Sequence, residues 1–360
     1  MKVLTVLGTR PEIIRLSLII EALDDAVDHV VVDTGQNPDP ALSTAFYEEL
    51  ELRAPDHRLD LPAGRVGRRL GAVLGGVDEL LAAEQPDRVV VLGDTDSAMA
   101  AIVAKRAGIP VVHLEAGNRC FDDRVPEEVN RRVIDHASDL LLPYTERSRD
   151  HLRDEGIPSS HIVVSGNPIH EVMQHHAARI ESSDVLARLG LDHGGYGLAT
   201  IHRQENVDDP RRLDALARSL DAAAAELGAP IVLSVHPRTA DRLAAAGLDV
   251  SERIIASPPF GFADFVRLEA GARIVCTDSG TVQEECCLLG VPAVTLRDST
   301  ERPETVECGS NVVSGVEPDA VVAAVRLQLR RPRAWTPPGE YLRDDVSATV
   351  AGVVTGPLPA

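Results

Sequence analysis

Two short strings at opposite ends of this 360-residue chain carry the residue types that bind a phosphate group. The first is GTRPE (residues 8–12) and the second is TDSGTVQEE (residues 277–285), with ERPE (residues 301–304) in the next loop. Each string follows a short apolar run and opens a helix-like pattern, so its first backbone N–H groups could face an anion. One such turn in each half predicts a single diphosphate-bearing ligand held between two domains.

The first string adds guanidinium groups to this helix start. Gly8 ends an apolar run, Thr9 can cap a helix, and Pro11 suits its first turn. Arg10 would offer a charged donor to a phosphate, and Arg15 lies about one turn into the helix. A simpler alternative is an ordinary capped helix with solvated arginines.

Three acids in the first half could perform proton transfer. Asp94 and Glu115 each come just after an apolar strand pattern, and Glu127 follows Pro126 at a helix start. If these carboxylates converge, their mutual repulsion would create the acid and base that proton transfer requires. A capping aspartate and an exposed i,i+4 ion pair between Glu127 and Arg131 are the structural alternatives.

In the second half, polar residues follow several strand patterns. His202 ends one pattern, while His236 and Arg238 end another, which favours anion binding over a purely structural role. In the TDSG string, Gly280 opens a helix and Glu285 could accept hydrogen bonds from both ribose hydroxyls. Metal-ligand spacings such as HExxH do not occur in the sequence, so we expect no metal and no cofactor.

Twelve β-branched runs, each leading into a turn or a helical pattern, predict parallel sheets covered on both faces. The runs divide six and six, so we expect an α/β protein with two doubly wound Rossmann-like domains facing a cleft. The expected limits are 1–167 for the acidic first domain, completed by the C-terminal helix 341–360, and 168–340 for the second. The strand patterns are VLTVLG, HVVVDTG, RVVVLGD, PVVHLEAG, LLLPYTE, IVVSGNP, LATIHR, IVLSVHP, RIIASPP, RIVCTDSG, PAVTLRD and NVVSG.

Composition narrows the class of partner. The formal net charge of −20 argues against nucleic acids and anionic membranes, which select a basic face. Neither a targeting signal nor an apolar run long enough to cross a membrane is present, and the five cysteines lack paired metal-ligand spacing. We therefore expect a soluble cytoplasmic protein with reduced thiols.

These motifs together resemble the non-hydrolysing UDP-N-acetylglucosamine 2-epimerase family. The similarity extends through nearly the whole chain, and the family has the two-domain glycosyltransferase-B fold and works as a homodimer. The matching strings, in order, are GTRPE, TGQ, GDT, EAGNR, PEEVNRRVIDH, SGNP, HRQEN, VHPR, TDSGTVQEE and ERPE.

The resemblance implies roles for individual residues. Catalytic roles fall on Asp94, Glu115, Glu127 and His202, and Arg131 becomes a further active-site residue. Contacts with UDP fall on Arg10, His236, Ser279, Gly280 and Glu285, with Arg302 nearby.

Some positions depart from the commonest family pattern. Arg15 stands where many members carry lysine, and Asn37, followed by Pro38, replaces a frequent histidine. The second change puts in doubt a regulatory UDP-sugar site. The string EAGNRCFDDRVPEE is more similar to a branch acting on modified UDP-N-acetylhexosamines such as UDP-N-acetyl-L-fucosamine, whereas RDSTERPE resembles the main branch. The substrate sugar is therefore left open.

The implied reaction inverts C2 of a UDP-N-acetylhexosamine. UDP leaves C1, a carboxylate removes the C2 proton to give a glycal, a proton returns to the other face, and UDP adds again. The alternatives are a glycosyltransferase of the same fold, a hydrolysing 2-epimerase that releases free sugar and UDP, and a UDP-sugar sensor without catalysis.

Overall fold

The chain folds into two compact units in a computed structural model that describes residues 1–36, 44–62, 64–247 and 251–359. The first unit comprises Met1–Met173 and Glu340–Ala360, and the second comprises Gln174–Gly339. Residue 167, where the sequence analysis placed the boundary, lies inside the first unit. The domain limits proposed from the sequence stay predictions.

The first unit is built on a six-stranded parallel sheet. Its strand order is β3-β2-β1-β4-β5-β6, the order of a doubly wound nucleotide-binding sheet. The chain starts in the centre and winds outward twice, so the loops after β1 and β4 diverge and leave room for a ligand. The strands are β1 (Lys2–Leu7), β2 (Asp28–Asp33), β3 (His57–Arg58), β4 (Arg88–Leu92), β5 (Val111–Leu114) and β6 (Leu140–Leu142).

One predicted strand of this unit is wrong. The run IVVSGNP forms an isolated bridge between Ile162 and Leu141 and no strand, because Gly166 turns the chain away at a φ of +84°. The strand that completes the set of six is instead β3, in which His57 pairs with Val32 of β2. Its two residues are polar, so β3 has no apolar pattern to reveal it.

Helices cover both faces of the first sheet. The apolar side chains of β1 and β4 are buried against them, with Leu4, Val6 and Val91 fully inaccessible to solvent. The helices are α1 (Arg10–Ala26), α2 (Thr44–Glu49), α3 (Val66–Glu84), α4 (Ala100–Arg106), α5 (Pro126–Ala137), α6 (Glu146–Asp154) and α7 (Ile169–His175), the last of which continues into the second unit.

The second unit repeats the same plan. Its six parallel strands have the order β12-β11-β10-β7-β8-β9, so β7 and β10 occupy the positions that β1 and β4 occupy in the first sheet. The strands are β7 (Gly197–Ile201), β8 (Ile231–Val235), β9 (Ile254–Ser257), β10 (Val275–Thr277), β11 (Ala293–Thr295) and β12 (Asn311–Val313). All six predicted strands of this half are present.

Nine helices belong to the described part of the second unit. Leu198, Val232 and Val275 of the sheet are fully buried beneath helices of one face. The helices are α8 (Ala177–Ser182), α9 (Val185–Leu189), α10 (Gln204–Val207), α11 (Pro210–Leu227), α12 (Pro237–Ala246), α13 (Phe262–Gly271), α14 (Gly280–Leu289), α15 (Pro303–Cys308) and α16 (Pro318–Arg330).

The C-terminal segment returns to the first unit. Its helix α17 (Val346–Thr355) packs against α1 and buries Val346, Val350 and Val354 completely. The Arg88 guanidinium donates to the Val354 carbonyl, which ties the helix end to the start of β4. Among the described residues, none of the helices is both long and apolar enough to span a membrane.

Candidate active site

The sequence-predicted residues gather at the carboxyl ends of the central strands of each sheet. In doubly wound sheets, ligands bind where the strand order reverses, since neighbouring loops diverge there. In the first unit this point lies between β1 and β4, and in the second it lies between β7 and β10.

The loop after β1 is organised by a buried carboxyl group that the sequence analysis did not single out. Glu12 accepts hydrogen bonds from the backbone N–H of Gly8 (3.0 Å) and Thr9 (2.7 Å) and from Thr95 Oγ1 (2.8 Å). Burial raises the pKa of Glu12 to about 7, although these hydrogen bonds favour the charged form. The GTRPE turn is thereby joined to the loop after β4.

Glu115 lies at the end of β5, held by a buried arginine. The Arg15 guanidinium forms an ion pair with the Glu115 carboxylate, and both side chains are less than one-tenth exposed. Tyr144 Oη (3.3 Å) and Asn118 Nδ2 (3.2 Å) also donate to this carboxylate. Glu115 has a φ of +63°, a conformation that most side chains disfavour and that is often kept for function.

Asp94 is held in the same way from the neighbouring helix. Arg131 of α5 donates to Asp94 Oδ2 through both Nη2 (2.5 Å) and Nε (3.1 Å), and Asn130 Nδ2 donates to the Asp94 carbonyl (2.9 Å). The predicted active-site arginine, Arg131, therefore contacts one of the predicted acids directly. Asp94 and Glu115 follow adjacent strands, since Leu92 of β4 pairs with Leu114 of β5.

Glu127 lies half-buried one helical turn before Arg131, which places the two side chains on one face of α5. The next residue, Glu128, is fully buried and forms ion pairs with Arg131 (2.7 Å) and Arg132 (3.1 Å). The second of these is an i,i+4 pair along α5.

Glu128 also fixes the loop that precedes α5. Its carboxylate accepts from the backbone N–H of Cys120 (3.0 Å) and Phe121 (3.1 Å). The pKa of Glu128 is lowered, because hydrogen bonds and the Arg131 charge outweigh the opposing effect of burial. We infer that Glu128 orients Arg131 and the loop, a role that the sequence did not reveal.

A second buried network supports the β5 loop from behind. Asp135 is paired with His113 Nδ1 (2.8 Å) and Arg119 Nη2 (2.7 Å), and all three side chains are inaccessible to solvent. Burial pushes the pKa of Asp135 upward, but His113 and Arg119 outweigh it and lower the pKa. His113 Nε2 lies 2.8 Å from the Gly93 carbonyl, so the network reaches the residue before Asp94.

In the second unit, His202 follows β7 and lies beside the buried Asp278 at the end of β10. The His202 Nδ1 atom is 3.1 Å from Asp278 Oδ1, and the His202 side chain is 38% exposed. The two residues therefore occupy the point where the strand order of the second sheet reverses. Asp278 was part of a predicted string but was given no role.

His236 and Arg238 lie at the start of α12, after the neighbouring strand β8. His236 Nδ1 accepts a hydrogen bond from the Arg238 backbone N–H (3.2 Å), and the His202 and His236 rings are 6.2 Å apart. The Arg238 guanidinium forms an exposed ion pair with Asp208. The fold therefore brings the His236 side chain next to His202.

The helix start at Ser279 and Gly280 carries an arginine beside it. A Cβ atom at Gly280 would lie 3.7 Å from the Arg302 guanidinium carbon, so the predicted arginine lies over the first turn of α14. Glu284, fully buried one turn on, forms an ion pair with Arg302. An N-terminus with free N–H groups and an adjacent guanidinium is suited to a phosphate group.

The remaining predicted residues have the following places. Arg10 at the start of α1 has its guanidinium 5.7 Å from the centre of the Phe46 ring, and Glu285 is buried within α14. Asn37 and Pro38 lie outside the described residues.

Metal and disulfide chemistry have no counterpart in the described ranges. Within them, clusters of three or more His, Cys, Asp or Glu side chains suited to a metal ion do not occur. The five cysteines are free thiols, with the sulfur atoms of Cys287 and Cys308 3.6 Å apart.

Two doubly wound sheets define an α/β protein of the glycosyltransferase-B type. One unit has acids that are each paired with an arginine, and the other has a helix start suited to a phosphate group. A sequence profile described as UDP-N-acetylglucosamine 2-epimerase matches residues 21–354. The chain belongs to the UDP-N-acetylglucosamine 2-epimerase family.

Individual relatives agree with this assignment. The chain is 39% identical to a UDP-N-acetylglucosamine 2-epimerase of Methanocaldococcus jannaschii over 347 residues, 94% of this chain and 95% of the relative. It is 37% identical to a UDP-2,3-diacetamido-2,3-dideoxy-D-glucuronate 2-epimerase of Pseudomonas aeruginosa, with 96% and 94% covered.

Solved structures show the same fold. The crystal structure of the M. jannaschii UDP-GlcNAc 2-epimerase in complex with UDP-GlcNAc and UDP matches with a TM-score of 0.94, 38% identity and 99% coverage of both chains. The Neisseria meningitidis UDP-GlcNAc 2-epimerase bound to UDP-GlcNAc matches with a TM-score of 0.87 and 26% identity, covering 98% of this chain and 99% of that one. The fold predicted from the sequence, with its two parallel sheets, is confirmed.

Proposed function

We propose that this chain inverts C2 of a UDP-N-acetylhexosamine by eliminating UDP, passing through a glycal and adding UDP again. One observation carries the proposal: Asp94 and Glu115, at the ends of adjacent central strands, are each paired with a buried arginine. Both acids are thereby favoured as carboxylates at the place where a doubly wound sheet binds its ligand.

Most of the groups proposed to bind the nucleotide belong to the second unit. The first turn of α14, at Ser279 and Gly280, would receive the pyrophosphate together with the Arg302 guanidinium. His236 and Glu285 would also contact UDP, as the family resemblance implies, and the Glu285 carboxylate could accept hydrogen bonds from the ribose hydroxyls. Arg10 and Arg238 would add positive charge, which the departing diphosphate requires.

The order of bond breaking follows from the acidity of the substrate. The C2 hydrogen is not adjacent to a carbonyl group, so a carboxylate alone would remove it very slowly. When the bond between C1 and the β-phosphate oxygen breaks, its electron pair leaves with UDP, and the positive charge that develops at C1 acidifies the C2 hydrogen. A carboxylate then takes this proton, and the C1–C2 double bond of the glycal forms.

Delivery of a proton to C2 from the opposite face, by a second group that is protonated when the glycal forms, gives the epimer. This step requires acid–base groups on two sides of the sugar ring, which accounts for the number of acids in the family pattern. Asp94, Glu115 and Glu127 are the candidates, and positioned proton transfer contributes about 10²- to 10⁴-fold to such rates. UDP then adds to C1 and restores the original linkage.

The sugar is proposed as a UDP-N-acetylhexosamine of the GlcNAc/ManNAc type or a modified form of it. The two relatives named above act, by their names, on UDP-N-acetylglucosamine and on a diacetamido-glucuronate derivative. We also propose a homodimer, on the basis of the family resemblance, and a cytoplasmic location, where the five free cysteines would stay reduced.

The test is to incubate the purified protein with single UDP-sugars and no acceptor, and to follow the products by NMR. Epimerisation predicts two UDP-sugars that differ at C2 and approach equilibrium from either side. Free sugar with stoichiometric UDP would indicate a hydrolysing enzyme, and reaction only after addition of an acceptor would indicate a glycosyltransferase. Binding without conversion of any candidate would indicate a sensor and contradict the proposal.

A further inference from the structure

One carboxylate of the second unit organises both loops at the end of β7 and β10. Asp278 is fully buried and directly precedes Ser279, the capping position of α14. It accepts hydrogen bonds from the backbone N–H of His202 (3.0 Å) and Arg203 (2.9 Å), and from Asn206 Nδ2 (3.1 Å). The loop with the histidine is thus fixed to the helix start that is proposed to bind the diphosphate.

The same carboxylate reaches the imidazole ring itself. His202 Nδ1 lies 3.1 Å from Asp278 Oδ1. Burial pushes the pKa of Asp278 upward, but His202 and the hydrogen bonds outweigh it, leaving the pKa at about 2. An ionised carboxylate can only accept hydrogen bonds, so its position beside Nδ1 favours the tautomer of His202 that carries the hydrogen there.

The other ring nitrogen is left available. Within the part of the chain that the structure describes, no side chain or backbone group is hydrogen-bonded to His202 Nε2. The side chain is 38% exposed, so a ligand can reach this atom.

We propose that Asp278 is a positioning residue, which acts through His202 by fixing the hydrogen on Nδ1 and turning Nε2 toward the diphosphate of the substrate. This inference rests on the proposed function and deepens it. Neither the sequence motifs nor the family assignment gives Asp278 a role.

The pair would act when UDP departs. The bond between C1 and the β-phosphate oxygen breaks and its electron pair moves onto that oxygen. A protonated Nε2 donates a hydrogen bond to the diphosphate, and the Asp278 carboxylate stabilises the imidazolium from the other side. The proton stays on Nε2 when UDP adds again, so the pair undergoes no net change. Binding of the ground-state UDP-sugar depends less on this contact, because the diphosphate gains charge only as the bond breaks.

The first experiment is a double-mutant cycle on turnover, with Asp278→Asn, His202→Gln and the double variant. We expect each single change to lower kcat by about 10²-fold, while the dissociation constant for UDP, measured by calorimetry, stays within a few-fold. Because Asp278 acts through His202, Asp278→Asn in the His202→Gln background should lower kcat only a few-fold more. Multiplicative losses of about 10⁴-fold would overturn the proposal.

The matched control is Asp221→Asn, which removes an acid on α11 that pairs with Arg253 on the surface of the same unit. It should leave kcat unchanged. Thermal unfolding of every variant separates loss of turnover from loss of folding.

The second experiment needs no activity and no variant of Asp278. Long-range ¹H–¹⁵N correlation spectra of the intact protein report which ring nitrogen carries the hydrogen, and the His202→Gln variant identifies the His202 signals. We expect the hydrogen on Nδ1 in the neutral ring, and a hydrogen on Nε2 instead would refute the inference. If no UDP-sugar is converted but the hydrogen is on Nδ1, the proposed function fails while the Asp278–His202 arrangement stands.

Discussion

At the scale of single residues, the two best-placed acids are distinguished by what holds them. Asp94 receives two hydrogen bonds from Arg131, and Glu115 is paired with Arg15 inside the protein. A guanidinium neighbour favours the ionised carboxylate, which is the form that removes a proton. Whichever of the two accepts the C2 proton can therefore do so without first losing a proton to solvent.

We predict that Asp94→Asn, Glu115→Gln and Glu127→Gln each lower kcat by at least about 10²-fold, because each change removes a proton-transfer group. Binding of UDP should change little, since none of the three acids is among its proposed contacts. Steady-state kinetics and calorimetry measure the two effects. Asp150→Asn, an exposed acid on α6, is the control. Near-normal turnover in any one of the three variants would remove that residue from the mechanism.

Glu12 gives a prediction about pH and stability. Its folded-state pKa of about 7 is above the ordinary value of 4.5, so the folded protein binds this proton more tightly than the unfolded chain does. The contribution of Glu12 is therefore most favourable below about pH 4.5 and is lost as the pH rises through about 7. Between these limits the loss should be about 3 kcal/mol.

Glu12→Gln removes this titration while keeping an acceptor for the Gly8 and Thr9 N–H groups. Denaturant unfolding of both proteins across pH 4 to 8 should show the wild type losing stability relative to the variant. A difference that is constant over this range would contradict a raised pKa at Glu12.

At the scale of elements, the turn after β5 packs closely against helix α6 behind Glu115. Gly117 has a φ of +76°, and a Cβ atom there would lie 2.2 Å from the Ser148 carbonyl oxygen of α6. Gly108, after α4, has the same φ, but a Cβ atom there would have no neighbour within 4 Å among the described residues. Comparing alanine substitutions at these two glycines therefore separates the energetic cost of backbone strain from the cost of steric overlap.

We predict that Gly108→Ala lowers the free energy of unfolding by about 1 to 2 kcal/mol, the penalty for a left-handed alanine. Gly117→Ala should be worse by about another 1 to 3 kcal/mol, because the backbone of α6 must move. Chemical denaturation measures both values. Equal losses would show that the β5 turn can relax without displacing α6.

Apolar patterning made most of the strands predictable from the sequence. β7 to β12 were all found, because buried parallel strands are continuous apolar runs ending at turn residues. β3 was missed since two polar residues have no such pattern, and the run near Ile162 was overpredicted because its apolar residues pair with β6 at one bridge only. Tertiary contacts, and not local sequence, decided both cases.

The site was predictable at the level of positions but not of contacts. The sequence placed Asp94 and Glu115 after strands, and the structure brings them to adjacent strand ends. It could not show that Arg15 lies against Glu115, a contact across 100 residues. Asp278 was passed over, since the role of a buried acid depends on donors that reach it from a distant loop.

At the scale of the whole molecule, the chain repeats one topology and gives each copy a different task. Both sheets have the doubly wound strand order. Asp94 and Glu115 follow strands β4 and β5 of the first sheet, whereas the helix start at Ser279 and Gly280 follows strand β10 of the second sheet. Such a division suits a reaction that breaks and restores a bond between a nucleotide and a sugar. Although the net charge of the chain is −20, Arg15, Arg131 and Arg302 lie at these strand and helix ends beside buried or partly buried acids.

The central claim is that C2 loses its proton to the protein and receives another from it. The most direct measurement is to run the reaction in deuterated water with a UDP-N-acetylhexosamine that the protein converts, and to examine C2 by NMR and mass spectrometry. The account predicts one solvent deuterium at C2 of the epimerised product, since carboxylates exchange their protons with solvent between turnovers. Epimer that retains its original hydrogen at C2 would contradict it.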